Sequence, residues 1–202
     1  MDCSDSNNEL WISDPALTST YESANVPGLY FAGTVAHGPD WRQAAGGFIH
    51  GFRYTAKALS RILDTKLDQV LWPSQKMGVE PTEVVEVVRD RINHASSLYQ
   101  MVGHMADVIL MPKPGDSRGK ARLFTDVPVA YAREHLIPPD RAAMIVTFEY
   151  GPKKPGDERP SSSMPGRDVF RQARTPFAPG NGAWVGVSEF LHPVFRFHFP
   201  VR

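Results

Sequence analysis

The chain has 202 residues, 42% of them hydrophobic and 22% charged, which suffices for a real core in one domain or two small ones. Lys plus Arg number 22 and Asp plus Glu number 22, so no net field steers it toward nucleic acid, acidic lipid or a polyanion. One cysteine, Cys3, excludes an internal disulfide and a Cys-x-x-Cys redox pair, and no apolar run approaches the ~20 residues of a bilayer span.

The polar opening MDCSDSNNEL lacks the basic and apolar regions of a secretory signal. After it, Pro27-Gly28 marks a turn, and Leu29, Tyr30, Phe31 and Ala32 form a short continuous apolar run that predicts a buried parallel strand ending at Gly33-Thr34. From Phe48 the apolar positions Phe48, Ile49, Phe52, Ala56, Leu59 and Leu63 follow helical spacing, with His50, Arg53, Lys57 and Arg61 on the opposite side. The unit reads strand, loop, helix. Pro81 opens a second helical region, carried by Val84, Val85, Val88 and Ile92 and then Leu98, Met101, Val102 and Met105, with a break expected near Gly103. From Met111 onward Pro112, Pro114, Gly115 and Gly119 punctuate a loop. Period-two stretches follow at Ala143 to Tyr150 and at Phe195 to Pro200, where Phe195, Phe197 and Phe199 share one side and are expected to be core. Between them GPKKPGDERPSSSMPG is expected to be a loop or lid.

The glycines at 46 and 47 sit at a helix mouth. Unpaired N–H groups and the positive end of the helix dipole make such a mouth a seat for a phosphate or an electron-rich ring edge. Residues without a Cβ let a ligand approach the main chain, or equally let the helix pack closely on a neighbouring element. Spacing alone leaves both readings open.

The stretches NVPGLYFAGT and AAGGFIHGFRYTAKAL resemble the last FAD-contacting segment of flavoproteins with two dinucleotide-binding folds. Together with SSLYQMVGHMADVIL, VTFEYG and FLHPVFRF, they are similar to the carboxyl-terminal part of the FAD-dependent oxidoreductase domain-containing protein 2 family. The resemblance implies an α/β fold, α+β overall. Residues 1–65 would be the terminal strand-loop-helix of a Rossmann-like FAD-binding domain, 66–110 a helical linker, and 111–202 a small β-rich domain. It implies FAD as cofactor, NAD(P)H as electron donor and oxidoreductase chemistry of a monooxygenase-like kind. Gly33 and Thr34 match the Gly-Asp pair beside the ribityl and pyrophosphate groups, with threonine in place of the acid. Gly46, Gly47 and Phe48 match the helix mouth at the flavin N1–C2=O edge. His37 lies within reach of the ring.

No G-x-G-x-x-G occurs, and GDSRGK at 115–120 lacks the spacing of a P-loop. The chain therefore resembles one piece of a longer flavoprotein, whose nucleotide-binding region would be its partner. The cytoplasm is the expected compartment, with the endoplasmic reticulum lumen as the alternative. The histidines show no metal-ligand spacing, so no metal is expected. His50 lies a turn into the helix, and Asp40 is read as the cap of a helix starting near Trp41. Arg42, Arg53 and Tyr54 read as a solvated face, and Ser161 to Ser163 lack a nucleophile context. The alternative function is a non-catalytic module whose β-rich part binds a protein partner.

Overall fold

A computed structural model describes residues 15–40, 44–116, 118–149 and 191–200. Its longest helix, α1 (Ile49–Asp68), stops where Gln69 turns left-handed, with φ 57°, and returns its N–H to the Asp64 carbonyl. Strand β1 (Gln75–Met77) comes next. Helix α2 (Pro81–His94) starts with Pro81 in its first turn, where the missing N–H costs nothing. A short helix α3 (Ser96–Gln100) follows, then strands β2 (Met105–Leu110), β3 (Ala121–Pro128), β4 (Ala143–Glu149) and β5 (His192–His198). The strands form one sheet in the order β1-β3-β2-β4-β5, antiparallel at each pairing.

Alternation along the strands sorts the core into two layers. On one face Ala106, Val108, Leu110, Phe124, Ala143 and Ile145 meet Ala58, Leu59 and Ile62 of α1. On the other, Ile109, Leu123, Val146 and Met77 meet Val88 of α2. β2 is buried at every position because it is central and covered on both sides.

Several expectations change. Leu29 to Ala32 form no strand: Tyr30 makes a single antiparallel bridge to Glu22 and Leu29 is exposed. A continuous apolar run becomes a parallel strand only where strands flank it, and the nearest backbone here is the turn at 17–23. α1 buries Gly51, Thr55, Ala58, Leu59 and Ile62, while Phe48 is 48% and Ile49 72% exposed, so the inward stripe is rotated from the Phe48, Ile49, Phe52 series. Small residues face inward, Ala58 in the core with the sheet and Gly51 against the loop backbone at Ala45, and this lets the helix lie close. The helical tract after Pro81 breaks at Ala95 and ends at Gln100. Met105 opens a strand, since Gly103 adopts φ 68° and Met101 and Val102 face the core from the turn. Residues 66–110 thus contain β1 and the central β2 besides helix. No parallel pair of the Rossmann type occurs among the described residues. Phe195, Phe197 and Phe199 are not core: β5 is an edge strand and they are 42%, 63% and 72% exposed. The segment at 151–166, Cys3, Arg42 and Ser161 to Ser163 lie outside the described residues.

Candidate functional site

Gly33 opens a 3-10 turn, Gly33–Ala36, at φ 73°, a left-handed conformation that suits glycine, and a Cβ there would meet nothing within 4 Å. The turn carries Thr34, whose Oγ1 lies 3.5 Å from the Gly47 carbonyl, a long contact joining the two arms of the loop. His37 closes the turn. Its Nδ1–H donates to the Thr34 carbonyl, and its ring edge lies 3.4 Å from where a Gly47 Cβ would stand. The fold therefore gathers Gly33, Thr34, His37, Gly47 and Phe48 around the start of α1.

Gly46 has a different role. It is buried, donates its N–H to Asp40 Oδ2 at 2.8 Å, and a Cβ there would fall 2.2 Å from that carboxylate. Its bareness serves the loop's own packing. The expected helix start at Trp41 lies outside the described residues; among those described, α1 begins at Ile49 and the Asp40 carboxylate holds the Gly46 amide. Gly51 lies one turn into α1, where a Cβ would stand 1.9 Å from the Ala45 carbonyl, so α1 and the loop cross backbone to backbone.

No side chain caps α1, and no acidic residue sits in its first turn. The first amides of the helix and the positive end of its dipole thus lie beside the half-buried Gly47 and the exposed Phe48 and Ile49, the Gly51 N–H already bonding the Phe48 carbonyl. Phe48 stacks on His50, ring centroids 5.6 Å apart and planes 9° from parallel. Bare main chain, uncapped amides, a hydroxyl and a flat apolar ring are groups that suit a flavin with its polyol tail. Arg53 and Tyr54 are engaged with each other, and Tyr54 Oη lies 2.6 Å from Ser96 Oγ. Gly119 is held against the start of its own loop, its N–H donating to the Asp116 carbonyl at 3.1 Å, and a Cβ there would strike Pro112 and Asp116. Among the described residues no three His, Cys, Asp or Glu side chains group as metal ligands, and no helix is long and apolar enough to cross a membrane.

Two buried polar arrangements escaped the sequence reading. Tyr21, at φ 59°, places its hydroxyl 2.9 Å from His104 Nε2. Burial, helped by the charge of Asp40, pushes the phenol pKa up, and burial pushes the imidazole down to about 4. A histidine held neutral in the fold binds fewer protons there than in the unfolded chain. Stability should therefore fall as pH drops from about 6.5 to about 4, by up to about 3 kcal/mol. Urea denaturation across that range checks this: His104→Asn should flatten the slope, and an equal slope in both proteins removes the assignment.

The second arrangement lies at the β2–β3 register shift. Arg91 Nε donates to Asp107 Oδ2 at 2.5 Å, and its Nη2 donates to Asp107 Oδ1 at 3.1 Å and Asp126 Oδ1 at 3.3 Å. Ser97 Oγ donates to Asp126 Oδ1 at 2.5 Å, the Asp126 N–H to Asp107 Oδ1 at 3.1 Å, and Lys57 Nζ lies 3.6 Å from Asp126 Oδ2. One network thus ties three helices to two strands. Burial raises the Asp107 pKa against the pull of Arg91. A lone acid inside MADVIL was the available signal.

These features describe a mixed helix and antiparallel-sheet protein with a glycine loop feeding an uncapped helix. Comparison with known proteins takes the description further. The chain is 33% identical over 194 residues to the mouse (Mus musculus) protein named FAD-dependent oxidoreductase domain-containing protein 2, covering 93% of this chain and 27% of that protein. It is 29% identical over 184 residues to the zebrafish (Danio rerio) protein of the same name, covering 91% of this chain and 24% of that protein. The chain belongs to the FAD-dependent oxidoreductase domain-containing protein 2 family, and it spans about a quarter of the length of these curated relatives. No family model matches it, and no solved structure does.

Proposed function

We propose that this chain supplies the flavin- and ribityl-contacting segment of an FAD-dependent oxidoreductase, the carboxyl-terminal portion of a longer protein that takes electrons from NAD(P)H. A monooxygenase-like enzyme is the finer form of that reading. The observation that carries it is the convergence of Gly33, Thr34, His37 and Gly47 beside the uncapped start of α1. The relatives named for an FAD-dependent oxidoreductase domain support it.

In this reading Gly33 and Thr34 hold the ribityl and pyrophosphate portion, Thr34 through a neutral hydroxyl. Gly47 and the first amides of α1 face the ring's N1–C2=O edge, and Phe48 offers its side chain, since its own N–H is held by the Ala45 carbonyl at 2.9 Å. Such donors, fixed in advance, favour an anionic edge. Gly46 and Asp40 keep the mouth in shape, and His37 braces Thr34 against Gly47. Bound FAD would supply hydride and oxygen chemistry, and the protein orients it. The nucleotide-binding region of the same parent is the partner, and the cytoplasm the compartment, with the endoplasmic reticulum lumen as the alternative.

The test is FAD titrated into the chain and followed by flavin fluorescence. Saturable quenching with a Kd on the order of 0.1–1 mM is expected, because only one wall of the site is present. Gly47→Val, which sets a branched Cβ against the mouth, should weaken it at least tenfold. Absence of saturable quenching, or a titration unaffected by the substitution, overturns the assignment. One observation favours a second reading, a protein-interaction module: three phenylalanines stand exposed along β5.

A further inference from the structure

The ladder phase shows which backbone groups of β5 are spare. The Met111 N–H bonds the Ala142 carbonyl, in register with the pairs Ile109–Met144 and Asp107–Val146. Main-chain groups therefore point toward β2 from Ala142, Met144 and Val146, and toward β5 from Ala143, Ile145, Thr147 and Glu149, since they alternate along an antiparallel strand. Their partners are His198, Arg196, Val194 and His192. The N–H and C=O groups of Phe195 and Phe197 thus point to the sheet's open edge, as Phe199 does by continuing the same alternation. Pro193 falls in that set, where its missing N–H leaves the ladder to β4 intact.

Phe195, Phe197 and Phe199 of that outward-facing set also carry the exposed rings. Phe195 and Phe197 lie across from Val146 and Met144, on the α2 side of the sheet, and the Phe197 and Phe199 rings stack with centroids 6.4 Å apart. Among the described residues no strand pairs with this edge. Between Val194 and Phe199 it carries no proline and no charge on the ring side, since Arg196 points to the other face and is held there by Glu149, with its Nη2 2.7 Å from Glu149 Oε2; Pro193 bounds the stretch.

We propose that β5 is a pairing edge for a second copy of this chain, joined antiparallel about a two-fold axis at Phe197. In that register Phe195 opposes Phe199 of the other copy and Phe197 opposes Phe197, each pair exchanging two hydrogen bonds. Both Pro193 residues fall outside the paired stretch. A register centred one or two residues earlier would place Pro193, with no N–H, opposite an acceptor. The stripe is its own complement: apolar rings at alternate positions meet the same rings on the same face, while on the other face Arg196, paired with Glu149, lies opposite His198 of the other copy. At most roughly 350 Å² of Phe surface per copy is covered. A standard interface buries about 800 Å² per partner, so this is a weak dimer that separates on dilution.

Sedimentation velocity on the full chain should show the mass rising from monomer toward dimer between about 10 μM and 1 mM, and Phe197→Lys should hold it at monomer. With Cys3 replaced by serine, Phe197→Cys should form a disulfide-linked dimer with diamide, because the paired Cα atoms stand about 5.5 Å apart. Phe195→Cys should not, its symmetry mate lying about 14 Å away along the strands. A chain that stays monomeric at 1 mM overturns the proposal. So does equal crosslinking at 195 and 197, or protection of the Phe197 amide from hydrogen exchange at low micromolar concentration, which would mean that the chain itself covers the edge.

Discussion

Replacing Arg91 with methionine is expected to destabilise the chain by about 3–5 kcal/mol, the cost of leaving a buried carboxylate without its counter-charge. Asp107 is 1% exposed, and its two oxygens accept from Arg91 Nε, Arg91 Nη2 and the Asp126 amide. Methionine fills the aliphatic volume and removes the guanidinium, so the loss is electrostatic rather than one of packing. Burial already lifts the Asp107 pKa, and without Arg91 it rises further. A carboxyl with a raised folded pKa binds more protons folded than unfolded, so the variant's deficit should shrink as pH falls through the acid range. Asp107→Asn added to Arg91→Met should recover part of the loss, since it discharges the site while its carbonyl still accepts the Asp126 N–H. Urea denaturation at several pH values measures all three. A loss under about 1 kcal/mol would show that water reaches Asp107.

Gly51→Ala is the second large effect, expected at about 3 kcal/mol or more despite the ~1 kcal/mol by which alanine favours a helix interior. The new Cβ would stand 1.9 Å from the Ala45 carbonyl oxygen and 2.8 Å from the Gly46 nitrogen. These are backbone atoms, which have no rotamer to escape into, so α1 must lift off the loop. Gly47→Ala is the control: its Cβ meets only the His37 ring edge at 3.4 Å, and stability should stay within about 0.5 kcal/mol. Thermal unfolding of both variants makes the comparison. Equal stabilities would mean that the crossing of α1 over the loop is not the contact that fixes the mouth.

Much of the architecture was legible. Pro81 and its valines marked α2, the period-two run from Ala143 marked β4, and helical spacing after Phe48 marked α1, because each signal arises from a segment's own backbone and its alternation of apolar residues. The glycine mouth stood out for the same reason, and the quoted stretches led to the family that the relatives bear out. MADVIL did not read as a strand. Met101, Val102 and Met105 fit helical spacing equally well, and only the φ 68° turn at Gly103 decides the change of period. The phenylalanines of β5 did read as strand, yet were expected inside. Alternation tells which residues share a face and says nothing of whether that face has a neighbour.

Local sequence thus determined where helices and strands form, which stretch has bare main chain, and which family the chain resembles. Only the tertiary structure decided which stripe of α1 turns inward, that Gly46 yields to Asp40 while Gly47 lies beside the His37 ring, that Asp107 meets Arg91, and that β5 lies at an edge. Each of those depends on residues far apart in the chain arriving within a few ångströms of one another. Periodicity cannot carry that information, because it records each segment's preference for a face and not what will be packed against it.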